Sequence, residues 1–234
     1  MPREPHLKAV ADHGNADADK GEDATDPPAT DGRVLGRRGQ ATRRKLLDCT
    51  REALSREPYR DVKVVDIARQ AGTSPATFYQ YFPDVEHAVL VLSEEIALET
   101  DRLVDLVAGD WQGAAGSDTA RGLVRGFLDH WEKHRPVLRV VELATEQGDL
   151  RFQRLRVRAL NNVTRALADV IAGFQRSGDV PTDVDAMATA GSLVAMLAHT
   201  AAHRYGFEFW GIRTADVETA LTRIVHWTVT GQKP

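Results

Sequence analysis

The run 62–84, VKVVDIARQAGTSPATFYQYFPD, constrains this chain more than any other segment. Val64, Ile67 and Ala68 recur at helical spacing, which predicts a short helix over 63–71. Gly72 follows where a helix end calls for a left-handed residue, a conformation glycine adopts without steric cost. Ser74 is a good N-cap, and Pro75 falls at the first helical position, where its missing N–H costs nothing. A second short helix is expected over 75–82, with Phe78 and Phe82, four apart, on its inner face. Pro83 and Asp84 end it and cap the next helix. Two short helices around a glycine turn, directly after an amphipathic helix, make a helix-turn-helix.

The preceding helix is predicted over 41–56, where Leu46, Leu47, Thr50, Ala53 and Leu54 form one apolar stripe and Pro58 ends it. The whole chain of 234 residues carries a net charge of −4, which taken alone speaks against a polyanionic partner. Residues 37–82 depart from that balance, with ten Lys/Arg against five Asp/Glu, between two acidic segments. A compact basic block of this kind suits nucleic acid. A helix enters a major groove about 12 Å wide only if its base-facing side chains are small or hydrogen-bonding. With Phe78 and Phe82 turned inward, Ala76, Thr77, Gln80 and Tyr81 remain to face DNA. Gln80 suits paired hydrogen bonds to adenine, and the Ala76 and Thr77 methyls suit thymine methyls. Arg43, Arg44 and Lys63 are expected phosphate contacts, and Arg37 and Arg38 an arm for the minor groove. Residues 1–36, rich in Asp, Gly, Ala and Pro with few large apolar side chains, are expected to form a disordered tail.

The residues Asp66-Ile67-Ala68, Ala71-Gly72 and Ser74-Pro75-Ala76-Thr77-Phe78-Tyr79-Gln80-Tyr81-Phe82 carry a resemblance to the TetR family of bacterial transcriptional regulators. The specific match covers about residues 40–90; the rest is similar in helix pattern and length. Trp131-Glu132-Lys133-His134-Arg135 looks most like the actinobacterial branch whose pockets take elongated hydrophobic ligands. The resemblance implies an all-α fold, with a three-helix helix-turn-helix DNA-binding domain at 37–84 and a helical ligand-binding and dimerisation domain at 85–234. It implies a repressor that binds palindromic operator DNA as a homodimer and is released by a small hydrophobic effector. Ser74, Pro75, Thr77 and Tyr79 take DNA-facing roles by that resemblance, Tyr79 on backbone phosphate. The chain departs from the family pattern at Pro58, Val62 and Val85, where a glycine, a capping hydroxyl and a lysine are usual. A ligand-independent architectural or cell-division factor on the same fold is the alternative.

Beyond residue 84, helices are expected over 85–107, 117–134, 136–146, 149–173, 183–205 and 214–229, with a loop at 109–116. Val89, Leu92, Ile96, Leu103 and Leu106 would line the inner face of the first. Small residues along 183–205 permit close helix approach, and Val217, Leu221, Ile224, Val225 and Trp227 follow on 214–229. These last two long helices are the expected homodimer interface. Excess apolar surface on the central helices points to a ligand cavity. Phe127, Trp131, Asn161, Val170, Phe174 and Met196 are its candidate lining, with Asn161 to orient a polar head. No Arg or Lys is aimed inward in this reading, so the ligand is expected to be small, mostly apolar and uncharged or weakly polar.

Other chemistries find little support. The single cysteine, Cys49, excludes an internal disulfide framework and reads as a small core residue. His130 and His134, and His199 and His203, stand four apart, but the first pair sits in HWEKH, not HExxH, and no metal is expected. No phosphate loop, nucleophile elbow or Cys/His dyad appears, so neither an enzyme nor a cofactor is expected. No apolar run reaches the roughly 18 residues of a membrane span, and the first residues lack a signal-peptide core. A cytoplasmic, nucleoid-associated location follows as the expectation.

Overall fold

A computed structural model describes residues 35–232, all helices and connections with no strand among them. The tail expected over 1–36 lies outside these except for Leu35 and Gly36. The order is α1 (Arg37–Arg56), a 3₁₀ turn (Tyr59–Asp61), α2 (Val64–Gln70), α3 (Pro75–Tyr81), α4 (Val85–Glu99) and α5 (Asp101–Val107). Then come α6 (Gly113–Glu146), α7 (Leu150–Ser177), α8 (Ala186–Phe209) and α9 (Thr214–Thr230).

Two hydrophobic cores organise these elements. The head core gathers Leu46, Leu47, Ala53, Leu54, Ile67, Ala68, Phe78 and Phe82 with Val89, Leu92 and Ile96 of α4. It also takes Val137, Val140 and Val141 from α6 and Phe152 from α7, so residues on both sides of position 84 share one core. The body core packs α5–α9 around Leu123, Val124, Phe127, Leu167, Ile171, Leu197, Leu221 and Val225. Cys49 is buried in the head, where burial raises its thiol pKa.

Several boundaries differ from those expected. Helix α1 begins at Arg37, so Arg37 and Arg38 form its first turn, not a free arm. The stretch 85–107 breaks at Thr100, whose hydroxyl lies 2.6 Å from the Ala97 carbonyl and 2.8 Å from the Ala159 carbonyl. Such side-chain bonding to backbone competes with helix continuation and here ties α4 to α7. Leu106, expected inside, is 37% exposed on the short α5 that follows.

The predicted helices 117–134 and 136–146 are one helix, α6, of 34 residues with Pro136 inside it. At about 1.5 Å per residue it is some 50 Å long. An interior proline costs about 3 kcal/mol through its lost N–H and the clash with the carbonyl four residues back. The helix runs through nonetheless because it is anchored in both cores, Leu123 to Trp131 on one side and Val137 to Val141 on the other. Each such buried side chain contributes about 1.5–3 kcal/mol. Helix α7 runs on to Ser177, with Asp149 capping it through the Arg151 N–H at 2.8 Å. Helix α8 starts at Ala186, where Asp185 accepts from the Ala188 N–H at 2.7 Å, and extends to Phe209.

Gly116 marks a close approach. A Cβ there would run into the Trp111 carbonyl and come within 3.0 Å of His226 Nε2 on α9. Gly→Ala within a helix ordinarily gains about 1 kcal/mol. Gly116→Ala is expected instead to lose about 1–3 kcal/mol through overpacking, read as a lower urea midpoint with unchanged slope.

Candidate nucleic-acid interface and buried cavity

Helix α3 is set by local chemistry. Ser74 Oγ accepts from the Thr77 N–H at 3.2 Å, Pro75 opens the helix, and Gly72 takes φ +68° in the turn before it. Phe78 and Phe82 fill the head core, their rings 5.5 Å apart. That leaves Ser74, Ala76, Tyr79 and Gln80 exposed, with Thr77 half-buried beside the cap, its hydroxyl 3.0 Å from Ser74 Oγ. Tyr81 is placed differently: it is half-buried against the head core, facing the start of α1 near Gly39.

The ten cations of the basic block divide into two groups. Arg44 pairs with Glu95 of α4 at 2.9 Å and with Asp48 at 3.1 Å, so it faces the body side of the head. Arg51, Arg56, Arg60 and Arg69 each find a carboxylate as well. Exposed pairs of this kind add little stability, but they neutralise charge. Arg37, Arg38, Arg43, Lys45 and Lys63 have no carboxylate partner among the described residues. Arg43 lies over the Phe82 ring at 5.4 Å, beside α3. Lys45 extends across the turn, its Nζ 3.6 Å from the Cβ position at Gly72. Sequence reading did not single out Lys45, because its position on α1 looked like any solvent-facing charge. Lys63 is exposed at the N-cap of α2, where it makes no side-chain capping bond.

The second feature is a cavity of about 90 Å³ between the two cores. Its walls are Ser93, Ile96, Ala97 and Thr100 of α4 and its end, Phe127, His130, Trp131, Leu138, Val141 and Glu142 of α6, and Leu155, Arg156, Ala159 and Leu160 of α7. Leu103, Ala198 and Ala201 complete it. Phe127 and Trp131 are therefore brought together as the sequence suggested. Phe174 packs in the body core instead, Val170 and Met196 lie against that core, and Asn161 is exposed on α7. The expectation that no cation reaches inward is corrected: Arg156 lines the cavity, its Nε donating to Glu142 Oε1 at 3.1 Å.

His130 contributes a neutral polar wall. Burial first, then the neighbouring His134, push its pKa from 6.5 down to about 4. His134 shifts the same way, mainly through burial, although Glu99 stands 3.2 Å from its Nε2 and opposes the shift. A base that is neutral when folded and protonated when unfolded removes stability as pH falls from about 6.5 towards 4. The urea midpoint is thus expected to drop across that window, and His130→Gln to flatten the drop. An equal slope in wild type and variant would contradict this placement of His130.

Among the described residues no three His, Cys, Asp or Glu side chains come together as a metal-holding group, and no helix is long and apolar enough to cross a membrane. At the far side, α8 and α9 expose a run of apolar side chains that includes Met187, Ile224 and Trp227, each 41–46% accessible.

Comparison with known proteins accounts for both halves of the chain. Residues 46–87 match the family model described as bacterial regulatory proteins, tetR family. Residues 103–234 match the model described as tetracyclin repressor-like, C-terminal domain. The HTH-type transcriptional regulator EthR of Mycobacterium tuberculosis is 28% identical over 99 residues, 42% of this chain. The match spans 46% of that relative's length, less than half. EthR of Mycolicibacterium smegmatis is 24% identical over 192 residues, covering 81% of this chain and 86% of that protein. Among solved structures, the transcriptional regulator FadR from Bacillus subtilis, in complex with stearoyl-CoA, superposes with a TM-score of 0.58 at 18% identity. That superposition covers 81% of this chain and 98% of that one, and it shows a shared fold. With a helix-turn-helix at its head and a family match over more than half its length, the chain belongs to the TetR family of transcriptional regulators.

Proposed function

We propose that this regulator binds operator DNA as a homodimer and releases it when a small hydrophobic molecule occupies the cavity between the two cores. The observation that carries the DNA half is α3 itself. Its inner face is locked by Phe78 and Phe82, and its outer face presents Ala76, Tyr79 and Gln80 next to cations that no carboxylate among the described residues neutralises. In this reading residues 37–84 form the DNA-binding unit and 85–234 the ligand-binding and dimerisation unit. Ala76, Thr77 and Gln80 meet base edges, while Tyr79, Arg37, Arg38, Arg43, Lys45 and Lys63 meet phosphates. Ser74 and Pro75 fix the start of the recognition helix, Tyr81 supports its far end from α1, and Arg44 braces α1 on α4.

The test is anisotropy with operator DNA. Gln80→Ala should cost about 1–3 kcal/mol at one base pair per half-site and relax preference there. Lys45→Ala or Lys63→Ala should weaken binding on all sequences alike. Removing one phosphate-binding cation should make the slope of log K against log salt shallower by about 0.9. A slope unchanged in both lysine variants would remove them from the interface.

The effector half rests on where the cavity lies. Ile96 and Val141 line it and also belong to the head core, so an occupant presses directly on the helices that orient α3. Coupling needs a ligand with different affinity for the two states; about 1–3 kcal/mol changes DNA affinity some 5–150-fold. The cavity is smaller than the roughly 300–1,000 Å³ of most ligand sites, which is the observation that favours a ligand-independent factor. A thermal-shift screen of apolar metabolites separates the two: stabilising compounds that also release DNA support the effector reading.

A further inference from the structure

The cavity has one unmet polar demand. Trp131 is only 8% exposed, and its indole Nε1 is buried with no acceptor. Among the described residues it is the one cavity-lining side chain with a buried, unpartnered polar atom. Apart from the half-buried His130 ring, the other polar walls are already committed. The Ser93 hydroxyl donates to the Val89 carbonyl at 2.7 Å, and the Thr100 hydroxyl is shared between the Ala97 and Ala159 carbonyls. Arg156 and Glu142 neutralise each other. A buried N–H without a partner carries its full desolvation penalty, and a ligand acceptor placed on it removes that penalty. A ligand with a full charge would have to break the Arg156–Glu142 pair to find a counter-charge.

Resting on the reading of this cavity as the effector site, we infer that Trp131 selects the effector through its indole N–H. The occupant is a neutral, largely apolar molecule carrying one carbonyl-type acceptor, as in a ketone, ester or lactone, and not a free acid. The neutral imidazole of His130 in the same wall fits an uncharged guest. Most of the remaining wall is apolar and gives affinity without direction, so the buried indole N–H, with the neutral His130 ring in the same wall, sets the ligand's orientation.

The test uses the full chain and three matched probes: cyclopentanone, methylenecyclopentane and cyclopentanecarboxylate. The ketone and the hydrocarbon have six heavy atoms each, the size of benzene, which an engineered cavity of about 150 Å³ holds, so their binding requires this cavity of about 90 Å³ to widen. The protein has four tryptophans, hence four indole N–H signals in a ¹⁵N-labelled sample, and Trp131→Phe identifies the one from Trp131. Cyclopentanone is expected to move the Trp131 indole proton downfield in the wild-type protein. The ratio of ketone to hydrocarbon affinity should fall at least fivefold in Trp131→Phe, and the carboxylate should bind at least tenfold more weakly than the ketone. Binding with no downfield shift, an unchanged ratio, or a carboxylate that binds as well as the ketone each overturns the role of Trp131 and leaves the effector site standing. If none of the probes binds at millimolar concentration, the effector-site reading falls and this inference with it. Should Trp131→Phe fail to fold, replacing Trp111, Trp210 and Trp227 by phenylalanine in turn assigns the other three signals and leaves that of Trp131.

Discussion

Replacing Ile224 and Trp227 with aspartate is expected to give a folded monomer whose operator affinity is about 10²–10⁴ lower. The two side chains stand 41% and 46% exposed on one face of α9, with Met187 of α8 similarly exposed. Val217, Leu221 and Val225 of α9 lie in the body core whereas Ile224 and Trp227 do not, so the change is expected to leave the monomer folded. In the proposed dimer, two charges placed across the two-fold axis would meet their own copies and lie without counter-ions in an apolar contact. Each monomer then binds a single half-site, and the gain from linking two recognition helices disappears. Sedimentation and anisotropy check both parts. A variant that stays dimeric would move the interface away from α9.

The second large effect concerns the head. Phe78 is fully buried and packs its ring against Phe82 at 5.5 Å and Tyr79 at 5.9 Å. Phe78→Ala is expected to cost about 3–5 kcal/mol, against a total of about 5–15 for a natural domain. At about 2–4 °C per kcal/mol for a chain of this size, the melting temperature should fall roughly 6–20 °C. DNA binding should be lost well before the body core opens. Hydrogen exchange should show α2 and α3 exposed first, since they contribute few residues to any other core. Uniform exposure of all helices would instead mean that the two cores melt as one.

The recognition element was legible because its signals are local. Gly72, Ser74, Pro75, Phe78 and Phe82 fix turn, cap and inner face within eleven residues, and no distant contact is needed to read them. Longer elements were legible in kind but not in extent. Pro136 reads as a stop, and only the anchoring of α6 in two cores overrides it. Thr100 reads as an ordinary helical residue, and its contact with Ala159, 59 positions away, ends α4. The same reason hid the pairing of Arg44 with Glu95. The cavity was the least legible feature. It forms where α4, α6, α7 and α8 meet, and Arg156 lies in a run, RLRVR, that reads as a solvated basic face. Phe127 and Trp131 were found because two large aromatics on one helix face exceed what a single apolar stripe requires.

The most direct measurement is a selection of bound sequences from a random DNA library with the full chain, followed by footprinting of the enriched site. The account predicts an inverted repeat whose half-sites lie about one helical turn apart, roughly 34–36 Å or a little more. Repeating the selection with Gln80→Ala should relax one base position in both half-sites together. An enriched site without two-fold symmetry, or the same full preference after Gln80→Ala and deletion of residues 74–82, would contradict it.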